Sequence, residues 1–71
     1  MNKERRKQIK DAIAKIESLV QSILDSEQEA FENMPEGLQA SEKGIASEEA
    51  QDNLELAIES LEEAIGYLEE I

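Results

Sequence analysis

Apolar residues recur along the first part of the chain with alternating spacings of four and three residues. This spacing is typical of an α-helix with one apolar face. Asn2 precedes the pattern and is a favoured helix N-cap, whereas Pro35 disfavours helical backbone at the residue before it. The pattern predicts a first helix over about residues 3–33. Its apolar face consists of Ile9, Ile13, Ile16, Val20 and Ile23, flanked by Ala12, Leu19 and Leu24.

A second pattern with the same spacing occupies the end of the chain. Ser47 can cap the free amides of a helix, and Glu48 and Glu49 suit the positive end of its dipole. The pattern predicts a second helix over about residues 47–70, with a connecting loop over 34–46. Off the apolar face, Leu56 and Tyr67 would be exposed in a two-helix hairpin. The apolar face consists of Leu54, Ile58, Leu61, Ile65 and Leu68, beside a stripe of Ala50, Ala57, Ala64 and Ile71.

The connecting loop contains the only proline, the only phenylalanine and two of the three glycines. Gly37 and Gly44 can adopt positive φ angles, which side chains disfavour. We expect the loop to fold back over the end of the hairpin, with Leu38 covering Phe31. A partner-binding loop is the alternative, and the two are compatible.

Chain length limits the core that this fold can build. A chain of 71 residues buries only about 60% of the surface that its unfolded form exposes, less than a larger domain does. Because cysteine and histidine are both absent, self-association is the remaining source of added stability. The sequence therefore predicts an all-α fold: an antiparallel two-helix hairpin that forms one domain over residues 1–71. We expect it to dimerise into a four-helix bundle, with a larger bundle as the alternative. Candidates for the second contact are Leu19, Leu24, Ala50, Leu56, Ala57 and Ala64.

Charge is distributed unevenly along the chain. The net charge is −11, from 18 acidic and 7 basic residues. Residues 1–15 carry six bases and two acids, whereas residues 44–71 carry nine acids and no base. We therefore expect the basic start of the first helix to lie against the acidic end of the second. The balance argues against direct binding to nucleic acid and favours a basic protein partner. No stretch is apolar enough to span a membrane or to serve as a secretory signal, so we expect a cytoplasmic location.

Two groups of polar residues are candidates for chemistry. Glu29-x-x-Glu32 and Glu49-x-x-Asp52 resemble the metal motif of all-α nucleotide pyrophosphohydrolases. The helical register points all four away from the apolar face, and the chain has no histidine or cysteine to activate a nucleophile. We therefore expect no enzymatic activity, no metal and no cofactor, with the hydrolase as an alternative.

The second group lies near the loop, on the inward faces of both helices. It comprises Glu27 on the first helix and Ser47 and Gln51 on the second. These residues could form a hydrogen-bonded layer that fixes the helix register. The floor of a ligand pocket and a splayed end of the bundle are the alternatives.

The loop and its flanks resemble a known family. Glu29–Gln39 and Ser41–Gly44, together with the opening Met1–Arg6, are similar to small acidic helical proteins carried by phages, prophages and mobile elements of Firmicutes. This chain departs from the usual residues at Met34, Gly37 and Lys43. The family has no assigned activity, so the resemblance implies a mobile-element setting and no functional residues.

These observations predict a non-enzymatic, homo-oligomeric helical protein that binds a protein partner. In a mobile-element setting it would modulate a host process. An acidic DNA mimic that inhibits a DNA-binding protein is an alternative. The expected partner contacts are the loop and the acidic start of the second helix, comprising Met34, Pro35, Leu38, Gln39, Ser41, Lys43, Glu48, Glu49 and Asp52.

Overall fold

The computed structural model describes all 71 residues and contains three helices. These are α1 (Lys3–Glu32), α2 (Glu36–Gln39) and α3 (Glu42–Glu69). The long helices α1 and α3 pack against each other along an elongated molecule of 55 × 15 × 11 Å. The predicted all-α fold and the pairing of two long helices are confirmed, whereas the short helix α2 was not predicted. None of the three helices combines the length and hydropathy that a bilayer crossing requires.

Local capping explains the limits of α1. The side chain of Asn2 accepts a hydrogen bond from the Arg5 amide at 2.8 Å, which satisfies one of the free N–H groups of the first turn. The helix ends at Glu32, and Asn33 is its C-cap. Pro35 follows two residues later, as expected where helical backbone stops.

The connection between the long helices is shorter and more ordered than the predicted loop over 34–46. Helix α3 begins at Glu42, five residues before the predicted start at Ser47. Between α1 and α3, α2 forms one turn in which the amides of Leu38 and Gln39 donate to the carbonyl of Pro35. Ser41 occupies the N-cap position of α3, but its hydroxyl donates to the Leu38 carbonyl and caps no amide of α3.

Gly44 determines how closely the short helix approaches α3. No glycine has a positive φ, so the predicted role of Gly37 and Gly44 as left-handed turn residues is wrong. Gly44 is instead a buried residue inside α3. A Cβ at this position would lie 2.7 Å from the Cα of Gln39 and closer still to its carbonyl group. The absence of a side chain at Gly44 therefore allows the backbone of α2 to pack directly on α3.

The contact face of α1 is rotated from the predicted one by about one residue. Leu24 is the one buried hydrophobic residue, while Ile16 and Ile23 remain about half-exposed. The half-buried Glu17 lies on the same face as Leu24, seven residues before it. On α3 the predicted face is half-buried throughout. The hairpin by itself thus leaves much of the apolar face of α1 in solvent.

No salt bridge joins the basic start of α1 to the acidic end of α3. The one salt bridge joins Lys7 and Asp11 at 3.2 Å within α1. The antiparallel course does bring the basic start of α1 to the end of the molecule where the acidic α3 ends. Exposed ion pairs contribute little free energy, so charge proximity alone does not fix these long side chains.

Candidate interaction surfaces

A hydrogen-bonded polar layer links the two long helices near their connected end. The Ser47 hydroxyl donates to Glu27 Oε1 at 2.8 Å, and Gln51 Nε2 donates to Ser47 Oγ at 3.3 Å. Ser47 is only 4% exposed, and no buried polar side-chain atom of the molecule lacks a partner. The expected inward network is confirmed. These hydrogen bonds join the two long helices at one level and so fix the register of α1 against α3 there.

Two of the expected partner contacts instead hold the connection together. Gln39 Nε2 donates to the carbonyl oxygens of Phe31 at 3.1 Å and Met34 at 3.3 Å, which ties α2 to the end of α1. Ser41 bonds to Leu38 within the turn. The expected fold-back is therefore made by Gln39 and by the packing at Gly44. Leu38 was expected to cover Phe31, but it remains 46% exposed.

The other expected contacts are available at the surface. Pro35, Leu38, Lys43 and the three acidic residues are exposed, and Met34 is half-buried. Ile45 adds a second large apolar side chain that is 52% exposed. Lys43 is the only base beyond residue 15, so acidic groups dominate the charge here. We call this set the loop-end surface: Met34, Pro35, Leu38, Lys43, Ile45, Glu48, Glu49 and Asp52.

A row of acidic residues follows one side of α3. Its members are three, four or seven residues apart, so they project from the same side of the helix, and all are exposed. No base of α3 interrupts them. We call this set the acidic row: Glu48, Asp52, Glu55, Glu59, Glu62 and Glu69.

The four acids of the hydrolase-like motif do not form a metal site within the chain. Glu29, Glu32, Glu49 and Asp52 are all exposed, in agreement with the outward direction predicted by the register. No group of three or more acidic side chains is placed to hold a metal ion. The four residues have the spacing of the motif in the sequence, but their carboxylates do not converge in the structure.

An apolar side runs along the whole hairpin, opposite the acidic row. On α1 it contains Ile16, Leu19 and Ile23, which are 48%, 56% and 57% exposed. Because α1 and α3 are antiparallel, the matching flanks of their seven-residue repeats lie on the same side of the hairpin. We call this set the apolar side: Ile9, Ala12, Ile16, Leu19, Ile23 and Ala30 of α1, with Ala46, Ala50, Ala57, Ala64, Tyr67 and Ile71 from α3 and the chain end.

Part of this side was predicted from the sequence. Leu19, Ala50, Ala57 and Ala64 were expected to make a second contact, and they belong to it. Leu24 was also expected there, but it is buried between α1 and α3. Leu56 was expected there too, but it lies outside this side, on the outer edge of α3, where it is exposed as predicted for a single hairpin. Ile16 and Ile23 were missed because the spacing alone assigned them to the contact within the hairpin.

No family model, curated protein or solved structure matches the chain. The resemblance to mobile-element proteins therefore stays a prediction from the residues quoted above. The exposed surfaces of the molecule are the basis for its proposed function.

Proposed function

We propose that the chain is a non-enzymatic, homo-oligomeric helical protein that binds a protein partner through the loop-end surface. One observation carries this proposal: only three of 71 residues are buried, while large apolar side chains stay exposed at two separate places. One place is the loop-end surface and the other is the apolar side. Large exposed apolar groups on so small a molecule are typical of interaction sites.

The loop-end surface combines the features of a specific contact. Leu38 and Ile45 supply apolar area, and Pro35 is conformationally restricted, so little entropy is lost when it is bound. Gln39 and Gly44 hold α2 against the ends of the long helices and thereby present Leu38 on a defined turn. A preorganised turn of this kind is suited to binding because its ordering cost has already been met within the fold.

Charge indicates the chemistry of the partner. The carboxylates of the loop-end surface are balanced only by Lys43. A partner with lysine and arginine around an apolar pocket would complement this surface and associate faster at low salt. If the chain is carried by a mobile element, as its resemblance to such proteins implies, the partner would be a host protein.

Leu38→Asp tests the proposal. We expect the variant to keep its helix content, because the side chain is about half-exposed, and to lose partner capture by at least tenfold. The immobilised chain would be incubated with host lysate, and bound proteins would be quantified by mass spectrometry.

Leu56→Asp is the matched control, since it places the same charge on a leucine away from the loop-end surface that is 58% exposed, against 46% for Leu38. Glu59→Lys provides a second control at a distance from the loop. A partner retained by Leu38→Asp as well as by both controls would contradict the proposed surface.

The acidic row favours a second candidate, an acidic DNA mimic. Apart from the seven-residue gap before Glu69, the carboxylates are three or four residues apart, about 4.5–6 Å along the helix axis. This spacing is wider than the spacing of about 3.4 Å per charge along one DNA strand, but it is of the same order. A basic DNA-binding groove would accept such a row.

Competition separates this candidate from the first. Duplex DNA would displace a mimic from its partner. The affinity of the mimic would also fall steeply as salt rises from about 50 to about 200 mM, because charge dominates such a contact. Glu55→Lys with Glu59→Lys would abolish its binding, whereas Leu38→Asp would not. Binding that is unaffected by duplex DNA would exclude mimicry.

A further inference from the structure

We propose that a second copy of the chain covers the apolar side, and that the loop ends of both copies lie at the same end of the resulting four-helix bundle. This inference rests on the self-association in the proposed function and identifies the face and the arrangement. It concerns a different surface from the one proposed to bind another protein.

The exposed area of the hairpin matches what a dimer would bury. The chain exposes 5445 Å², whereas a compact monomer of 8.0 kDa exposes about 4,450 Å². The excess is about 1,000 Å² per chain, and a stable interface buries about 800 Å² on each partner. The radius of gyration agrees, since it is 16.3 Å against about 11 Å for a compact chain of this length. One copy therefore has about the excess surface that one interface requires.

The composition of α1 indicates which face is covered. The side of α1 that packs on α3 includes the half-buried charged residues Arg6, Lys10, Glu17 and Glu27. The apolar side of the same helix consists of isoleucine, leucine and alanine, and Ser26, seven residues after Leu19, is the one polar residue on that side over the same length. In a four-helix bundle each helix buries three positions of its repeat, the two that face its neighbour and one flank. The apolar side is this third position.

Side-chain size determines the relative orientation of the two copies. The polar layer fixes Glu27 opposite Ser47, so the register places three isoleucines of α1 level with three alanines of α3. These pairs are Ile9 with Ala64, Ile16 with Ala57, and Ile23 with Ala50.

If both loop ends lie at the same end of the bundle, α1 of one copy packs against α3 of the other, and the residue pairs that are level within one hairpin are also level between the two copies. Each of the three isoleucines then meets an alanine of the other copy, which fills these bundle layers evenly. With the loop ends at opposite ends, α1 would pack on α1 and α3 on α3, pairing large with large and small with small.

Charge is secondary to this packing. The shared-end arrangement brings the basic start of each α1 beside the acidic end of the other copy's α3. It also brings the two acidic loop ends together. Each copy carries a net charge of −11, so repulsion outweighs the attraction between unlike ends. Salt screens this repulsion, and we therefore expect the dimer to tighten as ionic strength rises.

Leu19→Asp tests the face. The substitution puts a carboxylate on the apolar side at a position that is exposed in one hairpin. Ser18→Asp is the matched control, because it adds the same charge at an exposed position one residue earlier, about 100° around α1 from Leu19 and off the apolar side. By sedimentation equilibrium we expect Leu19→Asp to raise the dimer dissociation constant at least about thirtyfold, the effect of an interface hot spot, with no change for Ser18→Asp.

If Leu19→Asp also loses helix content, urea unfolding at several protein concentrations still tests the proposed face. The urea midpoint of a dimer rises with concentration, because association and folding are coupled. We expect this dependence for the unaltered chain and for Ser18→Asp, with a lower midpoint for Leu19→Asp at every concentration. Equal effects of both substitutions would overturn the proposed face.

A spin label at Gly37→Cys tests the orientation. The chain has no cysteine, and nothing lies within 4 Å of a Cβ at Gly37, so the label is unique and does not disturb the fold. Pulsed electron paramagnetic resonance should give a distance below about 30 Å when the two loop ends share one end of the bundle, since packed helices lie 8–10 Å apart.

A distance close to the 55 Å length of the molecule would overturn the shared-end arrangement. A labelled chain that sediments as a monomer would instead contradict self-association itself. The two failures are therefore distinguishable, and neither affects the test of Leu38.

Discussion

Substituting alanine for glycine should have opposite effects at two positions of the same helix. Alanine is favoured over glycine inside a helix by about 0.8–1 kcal/mol. At Gly66 nothing lies within 4 Å of an added Cβ, so Gly66→Ala should stabilise the chain by about that amount. At Gly44 the added Cβ would overlap the backbone of Gln39.

The cost at Gly44 follows from what must move. Inserting a methyl group against rigid backbone costs about 1–3 kcal/mol. Displacing α2 also breaks the two hydrogen bonds that Gln39 donates to Phe31 and Met34, each with a net contribution of about 1 kcal/mol. After the helix preference is subtracted, Gly44→Ala should destabilise the chain by about 2–4 kcal/mol.

Urea unfolding followed by circular dichroism would measure both free energies of unfolding at one protein concentration. In thermal scans we expect Gly66→Ala to raise Tm by about 4–8 °C and Gly44→Ala to lower it by more than about 8 °C. If Gly44→Ala were as stable as Gly66→Ala, the close packing of α2 on α3 would be refuted.

Two further predictions concern the contact between the long helices. Ser47→Ala removes the hydrogen-bond donor to Glu27 and should lower the free energy of unfolding in urea by about 1–3 kcal/mol, because an acceptor in a half-buried site is left unsatisfied. Glu27→Leu combined with Ser47→Ala should recover most of the loss, and an unchanged stability of Ser47→Ala would contradict the role of the layer. Leu24→Ala should lower the free energy of unfolding by about 2–5 kcal/mol because Leu24 is buried, whereas Leu56→Ala should change it by less than about 0.5 kcal/mol. Equal losses would contradict the assigned packing.

The periodicity of the sequence predicted the long helices because their apolar residues repeat over many turns. It predicted the inward direction of Glu27, Ser47 and Gln51 for the same reason, since register propagates along a regular helix. The start of α3 was missed because Gly44 is typical of a loop, and its use here depends on a neighbouring segment that spacing cannot reveal. Only the three-dimensional contact with Gln39 explains a glycine inside the helix.

The face of α1 was predicted with an error of one residue for a physical reason. Its apolar residues cover an arc wider than one neighbouring helix can bury. Periodicity finds the centre of that arc, where Ile16 and Ile23 lie, whereas α3 occupies one edge of it at Leu24. A second helix pair on the other edge would explain the whole arc.

The loop-end surface was predicted in outline but not in its division of roles. Leu38 and the nearby acids could be identified because exposed polar and turn residues are visible in the sequence. The structural roles of Gln39 and Ser41 depend on hydrogen bonds to backbone carbonyls, and no side-chain pattern encodes these.

Sedimentation equilibrium of the unaltered chain at micromolar concentration tests the central claim of self-association most directly. We predict a mass twice the 8.0 kDa of one chain, together with the high helix content of the structure. A fully helical species with the mass of a single chain would contradict it.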